Sequence, residues 1–433
     1  MMRTLQFHFA ILILLLSVQT VAGFVSQTKI GSTEIIKAPL MAKYQTLSSS
    51  SLCAKATKKK KGSKKKAGGA AAGIKGFGAV SAPSSGNHVE TDRSAEARAF
   101  YDYLEKQQAG DNLKRCALGY FPLPNGVSLR GVVAMRDLQK GDVIIRIPYE
   151  VAVNLGQEGG DPTLPAVEFL RDYCEVLGPN GEAAANRQRK PYYEMLPPFR
   201  GDDCLGSTDF FSDEALEALQ SPTVMEETLR RRERTKRRFE QDIDDNFASW
   251  IDGSTVTQEH LQWAVWLITS RVLTVQGDAE EGRSYRLLIP FLDMCNHDRK
   301  SSHVLSGRAV PGGELKVVAG SAVKAGEQIN ICYGGGVAGN DRFLQDYGFL
   351  DSDKEAYEMV AQQLLGKRRL LEGANAGKTM LSADREEALK ILRSTKMEED
   401  AGILDSSADQ AVKSAIEYRL GVKTALSKQI VMQ

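Results

Sequence analysis

The sequence predicts an α+β fold: small β-sheets, interrupted by a helical insert and followed by a helical C-terminal part. Three observations lead there. Strand patterns occupy residues 128–148 and resume at 286–333, with about 100 residues of helical pattern between them. An apolar strand, Leu287-Leu288-Ile289, stops at Pro290 and delivers a polar cluster, Asp293, Asn296 and His297. After Gly348 helical spacing runs to the end of the chain.

The leader and the body are different materials. Residues 1–89 hold 13 Lys and Arg against a single acid, Glu34, so the net charge of +1 leaves the remainder at −11. Arg3 precedes an apolar run, Phe9–Leu16, roughly half the ~20 residues that span a bilayer. With small residues at Val21 and Gly23, residues 1–23 read as a signal peptide removed before Phe24, which leaves no membrane span in the mature chain. Residues 24–91 join a Ser/Thr/Lys-rich, nearly acid-free segment to a low-complexity linker containing Lys58–Lys61 and Lys64–Lys66. The Lys blocks read either as a nuclear or nucleic-acid arm or as a solvated tail. The acidic body is a poor surface for nucleic acid, which favours the tail. A signal peptide followed by a transit-like segment that starts at Phe resembles the bipartite plastid leaders of algae with secondary plastids. Plain secretion is the alternative, and the six cysteines argue against it because they form no CxxC pair or tight framework.

The body follows in order. Ser128–Met135 and Asp142–Pro148 read as strands around a Gln139-Lys140-Gly141-Asp142 turn. Asp161-Pro162 opens a helix that Gly178 ends, and Ser212 opens a short one with Asp213 and Glu214 in its first turn. Residues 224–250 form a long charged helix whose Arg230–Arg238 run reads as a solvated face. Thr257 caps the next helix, on which Leu261, Ala264, Val265, Ile268 and Val272 form one apolar stripe. Strands return at 286–291, 303–310, 314–319 and 328–333. Among the five histidines, His88, His260 and His303 read as ordinary core or surface residues. No partner Cys or His stands at zinc spacing from His297, so no metal site is expected.

Two strand ends carry the chemistry. The first is Tyr285–Asp298, with its Asn296-His297 pair; the second is Gly326-Glu-Gln-Ile-Asn-Ile-Cys-Tyr333-Gly, followed by Asp346-Tyr347-Gly348-Phe349. Together they resemble the SET-domain protein-lysine methyltransferases of the Rubisco large-subunit methyltransferase-like branch. The resemblance covers residues 92–350, with the helical insert at about 161–275, and extends faintly over 351–433 as a short C-terminal substrate-binding helical domain. It implies S-adenosylmethionine as methyl donor, a lysine of a protein as acceptor, and an in-line transfer governed by alignment and electrostatics. It places Tyr333 on the catalytic tyrosine. Asp293, Asn296 and His297 fall on the main cofactor segment, and Arg271, in Ser270-Arg271-Val272, stands near the cofactor. Ser128 and Arg130 match the early glycine-containing strand, although the family often has an acid where Ser128 stands, and Tyr347 lines the pocket.

Gly334-Gly-Gly-Val-Ala-Gly339 also fits GxGxxG between a strand and a helix, but no later strand or ribose-binding acid follows it. It reads as a flexible loop, longer and richer in glycine than the family's. Two rival functions stay open: a SET-like module that binds partners without catalysis, and a protein-histidine methyltransferase.

Overall fold

The computed structural model describes residues 89–122, 128–366 and 382–431. The predicted signal peptide, transit-like segment and Lys-rich run lie outside the described residues. Ser94 accepts the Ala97 N–H and so starts α1 (Ala95–Lys106), which buries Phe100, Tyr103 and Leu104. β1 (Cys116–Pro122) pairs antiparallel along its whole length with β2 (Ser128–Ala134). β3 (Val143–Pro148) and β4 (Val153–Gln157) follow.

The insert opens with α2 (Thr163–Leu177), where the Asp161 carboxylate takes the Thr163 N–H at 2.9 Å. Ser212 caps α3 (Asp213–Ala218) as its sequence predicts. The long helix, α4, spans Pro222–Asp242 and stops eight residues short of the expected end. There the Asp244 carboxylate accepts the Asn246 N–H at 3.0 Å, a local turn that competes with the helix ladder. Its arginine run is not solvated throughout. Arg231, only 11% exposed, bridges Asp209 and Asp346 at 2.7 Å each, and Arg232 donates to the carbonyls of Thr208, Asp209 and Phe211. Thr257 caps α5 (Gln258–Arg271) together with His260, whose Nδ1 accepts the Thr257 N–H at 2.9 Å.

Six short strands complete the β part: β5 (Leu273–Gln276), β6 (Ser284–Leu288), β7 (Asn296–His297), β8 (Val304–Ser306), β9 (Glu314–Val318) and β10 (Gln328–Ile331). The strands of this part form three small sheets, β1-β2-β10-β7, β3-β9-β8 and β4-β6-β5. β6 ends before Pro290, and Phe291, buried at φ +72°, turns the chain sharply into the polar cluster. β10 runs antiparallel to β2 but parallel to β7, a pairing that sets Asn330 against Asn296 and Ile331 against His297. This register brings the two motif-bearing strand ends side by side.

After β10 a π-helical turn, Phe343–Tyr347, closes at Gly348. Among the described residues four helices follow: α6 (Lys354–Leu364), α7 (Ser382–Arg393), α8 (Met397–Ser406) and α9 (Gln410–Val431). Two cores result. The larger joins the sheets to α1, α2 and α5 through residues such as Phe100, Leu170, Trp263 and Phe291. The smaller fills the space between α6, α7 and α9, and it takes Phe211, Ala215, Leu216, Leu219 and Val224 from the insert. The helical end is thus packed on part of the insert. Among the described residues no helix is long and apolar enough to cross a membrane.

Candidate active site

Tyr333 stands just beyond β10, at the first position of a 3-10 turn. Its hydroxyl donates to the carbonyl of Cys295 at 2.6 Å, and its backbone N–H donates to Nδ1 of His297 at 3.0 Å. The ring of Tyr347, presented by the π-helical turn, stacks on it at 5.0 Å between centroids and 26° between planes. Burial raises both phenols well above their ordinary range, so each stays neutral at any physiological pH. The nearby Arg271 charge opposes the rise at Tyr333 without reversing it.

Arg271 ends α5 and points back to the polar cluster. Its Nη1 donates to the Asp293 carbonyl at 3.0 Å and lies 3.6 Å from the Asp293 carboxylate. That carboxylate is fully enclosed, and its Oδ2 accepts the Tyr192 hydroxyl at 2.9 Å while Oδ1 has no partner. Burial raises the Asp293 carboxyl against the pull of Arg271 and of the Tyr192 hydroxyl. Asp293 therefore reaches the site through its carbonyl and through Arg271; its own side chain is sealed behind them.

Asn296 reaches across the sheet and donates its Nδ2 to the Arg130 carbonyl at 2.9 Å. This close approach depends on Gly131. A Cβ there would fall 2.6 Å from Asn296 Nδ2 and equally close to Gln328 Nε2, inside contact distance. The Arg130 side chain donates to the Met195 carbonyl. Ser128 stands at the exposed start of β2 and makes none of the contacts described above.

The fold therefore gathers Arg271, Asp293, Asn296, His297, Tyr333 and Tyr347, touches Arg130 through its carbonyl, and leaves Ser128 at the rim. Sequence reasoning missed Tyr192, Arg299 and Asp351, and it read the Gly334–Gly339 loop as flexible. Arg299 instead holds that loop, with Nη1 and Nη2 donating to the carbonyls of Gly336 and Ala338 at 2.8 Å each. The dinucleotide reading of the loop fails as well: β10 is followed by a 3-10 turn, a one-turn helix and the π-helical turn. Among the described residues no cluster of three or more Cys, His, Asp and Glu could hold a metal ion.

Three buried polar atoms around this sheet end lack protein partners: Asp293 Oδ1, Gln328 Nε2 and Asn330 Oδ1. Buried polar groups are almost always satisfied; Asp293 Oδ1 is sealed from any ligand, which leaves the two amides of β10, next to Asn296 on β7, as groups that a polar ligand or a water would satisfy. Residues 129–334 match the family model for the SET domain.

This part of the chain is similar to a SET domain.

The similarity extends to characterised relatives. The chloroplastic fructose-bisphosphate aldolase lysine N-methyltransferase of Arabidopsis thaliana is 27% identical over 281 residues, 59% of this chain and 52% of that protein. The chloroplastic Rubisco large-subunit N-methyltransferase of Pisum sativum is 23% identical over 311 residues, 66% of this chain and 58% of its own length. The chain thus spans little more than half the length of these relatives. Among solved structures, the SET domain of LSMT bound to lysine and AdoHcy superposes with a TM-score of 0.52 at 17% identity, over 78% of this chain and 90% of that one. Rubisco LSMT bound to AdoMet gives 0.51 at 16% identity, over 78% and 91%. At these identities the agreement establishes the fold alone: small sheets, with helices in the insert and at the C-terminal end.

Proposed function

We propose that this chain is a protein-lysine N-methyltransferase that uses S-adenosylmethionine. The observation that carries the reading is the Tyr333 hydroxyl. Its proton is committed to the Cys295 carbonyl at 2.6 Å, and its phenol is held neutral by burial. The oxygen lone pairs that remain can accept an N–H of an amine and so orient the amine's own lone pair, which is a task of alignment. A neutral phenol does not take the lysine proton, so the amine must arrive deprotonated, which a dry channel favours. Tyr347, stacked on Tyr333, supplies an apolar wall to that channel.

The donor, when bound, supplies a methyl group carried on a sulfonium sulfur. The residues present fit it. Arg271 keeps donors beyond the one given to Asp293 and suits a carboxylate, and Asn296, laid over Gly131, offers an amide beside the Arg130 carbonyl. Ser128, on the rim, is assigned the outermost contact, and His297 holds the segment through its backbone and ring. We assign residues 351–433, whose helices share a core with α3, to substrate binding, and residues 1–91 to a plastid-directing leader. The chloroplastic relatives support the plastid assignment.

The test uses the purified full chain, methyl-labelled S-adenosylmethionine and a soluble plastid extract, with the modified residue located by mass spectrometry. A labelled lysine in one band is the expected result. A labelled histidine would keep the donor and overturn the acceptor. Donor binding without any label would favour a non-catalytic module, and absence of donor binding would sink the proposal.

A further inference from the structure

Tyr333 is followed by three glycines at φ +60°, +63° and +77°, the residues that constrain a backbone least. A catalytic side chain at the mouth of such a loop needs its backbone held from elsewhere. The imidazole of His297 does part of this. An N–H donor, that of Tyr333, faces Nδ1, so Nδ1 carries a lone pair and the ring proton sits on Nε2. Nε2 lies 3.3 Å from Oδ2 of Asp351.

Asp351 is itself locked. Arg299 Nε donates to the same Oδ2 at 2.8 Å, and Oδ1 accepts the Asp353 N–H at 2.9 Å. The Asn340 side chain accepts the Asp351 N–H at 2.7 Å and donates to its carbonyl at 2.9 Å. The side chains of His297, Arg299 and Asp351 are 6%, 5% and 4% exposed, and the guanidinium lies 5.5 Å over the Phe343 ring. These bonds hold the Asp351 carboxyl down at about 2 despite its burial. The remaining Arg299 donors hold the carbonyls of Gly336 and Ala338. One buried unit thus grips the glycine loop at its start, through His297, and at its far side, through Arg299.

We propose that Asp351, set in place by Arg299, is a positioning residue for Tyr333: it fixes the His297 ring with its proton on Nε2 and thereby fixes the backbone from which the Tyr333 hydroxyl is aimed. The catalytic meaning of this clamp rests on the methyltransferase reading above; the clamp itself does not. In such a network a misplacement of about 1 Å costs roughly 100-fold in rate.

The experiment labels the full-length chain with ¹⁵N-histidine and records long-range ¹H–¹⁵N spectra of the imidazoles, with His297 assigned from His297→Gln. The wild type should show His297 protonated on Nε2 alone. Asp351→Ala should mix the two tautomers and slow label transfer to plastid extract by about 10- to 100-fold at saturating donor. Its calorimetric affinity for S-adenosylmethionine should stay within about threefold, since no donor contact is removed. Asp351→Asn, which keeps an acceptor oxygen where Arg299 and His297 need one, should restore the tautomer and recover most of the rate. If the alanine protein does not fold, Arg299→Gln is read in the same two assays and should move both in the same direction. An unchanged His297 spectrum in Asp351→Ala, or wild-type transfer alongside a mixed tautomer, overturns the proposal. A chain that transfers no methyl but shows the tautomer change supports the clamp and counts against the methyltransferase reading alone.

Discussion

Two buried carboxylates in this protein look alike and do different things. Asp351, between the π-helical turn and α6, is bonded by Arg299 and His297. Asp400, on α8, is wholly enclosed and takes Arg419 at 2.6 Å on one oxygen and Lys423 at 2.8 Å on the other, with the Thr395 hydroxyl as a third donor. The difference lies in where the cations' remaining bonds go. Arg299 spends its other donors on the glycine loop beside Tyr333, whereas Arg419 donates to the Ala218 carbonyl on α3 and Lys423 to Thr395. The first network is wired to the candidate site. The second ties α8 and α9 to one another and to the insert, and it buries two cations on one anion. A buried ion pair acquires a role from its further partners, and its own strength says little about that role.

The largest expected effect breaks the second network. Asp400→Ala leaves the Arg419 and Lys423 side chains, 4% and 0% exposed, without their counter-ion. Removing one member of such a buried group costs roughly 3–5 kcal/mol. Urea unfolding should show that loss while the His297 spectrum stays as in the wild type. A change in the His297 tautomer would show that the two networks are coupled after all. On the other side, Tyr333→Phe deletes only the hydroxyl on the Cys295 carbonyl. It should lower methyl transfer by about 100- to 1000-fold, the usual cost of one positioned group in an active site, with donor affinity and stability nearly unchanged. A fully active Phe variant would remove Tyr333 from the chemistry.

What the sequence shows and hides follows the same division. The strand halted by Pro290, the Asn296-His297 pair and the Tyr333 string were readable because each is a local run whose neighbours in sequence are its neighbours in space. Six strands were legible, but β1, β4, β5 and β7 were not, and lengths were overread: β6 ends at Leu288, not at 291, where Pro290 lacks an N–H and Phe291 turns at φ +72°. The networks were invisible because their members lie far apart in the chain. Asp351 meets His297 across 54 residues and Tyr192 meets Asp293 across 101, and no periodicity marks such pairs. Arg231 was hidden in plain view, one of a run of arginines of which the fold buries some and solvates others.

A smaller effect tests the sheet that holds both motif strands together. In Gly131→Ala the new methyl would fall 2.6 Å from the amides of Asn296 and Gln328, so one of them must move. Asn296 would lose its bond to the Arg130 carbonyl, a loss of about 1 kcal/mol, or roughly fivefold in donor affinity by calorimetry. The His297 tautomer should not change, because the clamp lies on the other side of β7. An unchanged affinity would move the donor away from Asn296.

The smallest effect separates the two carboxylates by acid. Both carboxyls are held below their ordinary value, Asp351 at about 2 by His297, Asp353, Arg299 and the Arg299 charge, and Asp400 by Lys423, Thr395 and Arg419. A carboxyl depressed in the folded state contributes stability that is fully present above its unfolded value, near 3.8, and is lost as pH falls through the folded one. For Asp351 the window therefore runs from about 4 down to about 2. Stability measured by urea across that window should fall less steeply in Asp351→Asn than in the wild type, because the variant has already forfeited the titrating group. Above pH 5 the two curves should run parallel. If they stay parallel below it as well, the Asp351 carboxylate is not the anion that Arg299 and His297 hold, and the contrast with Asp400 loses its basis.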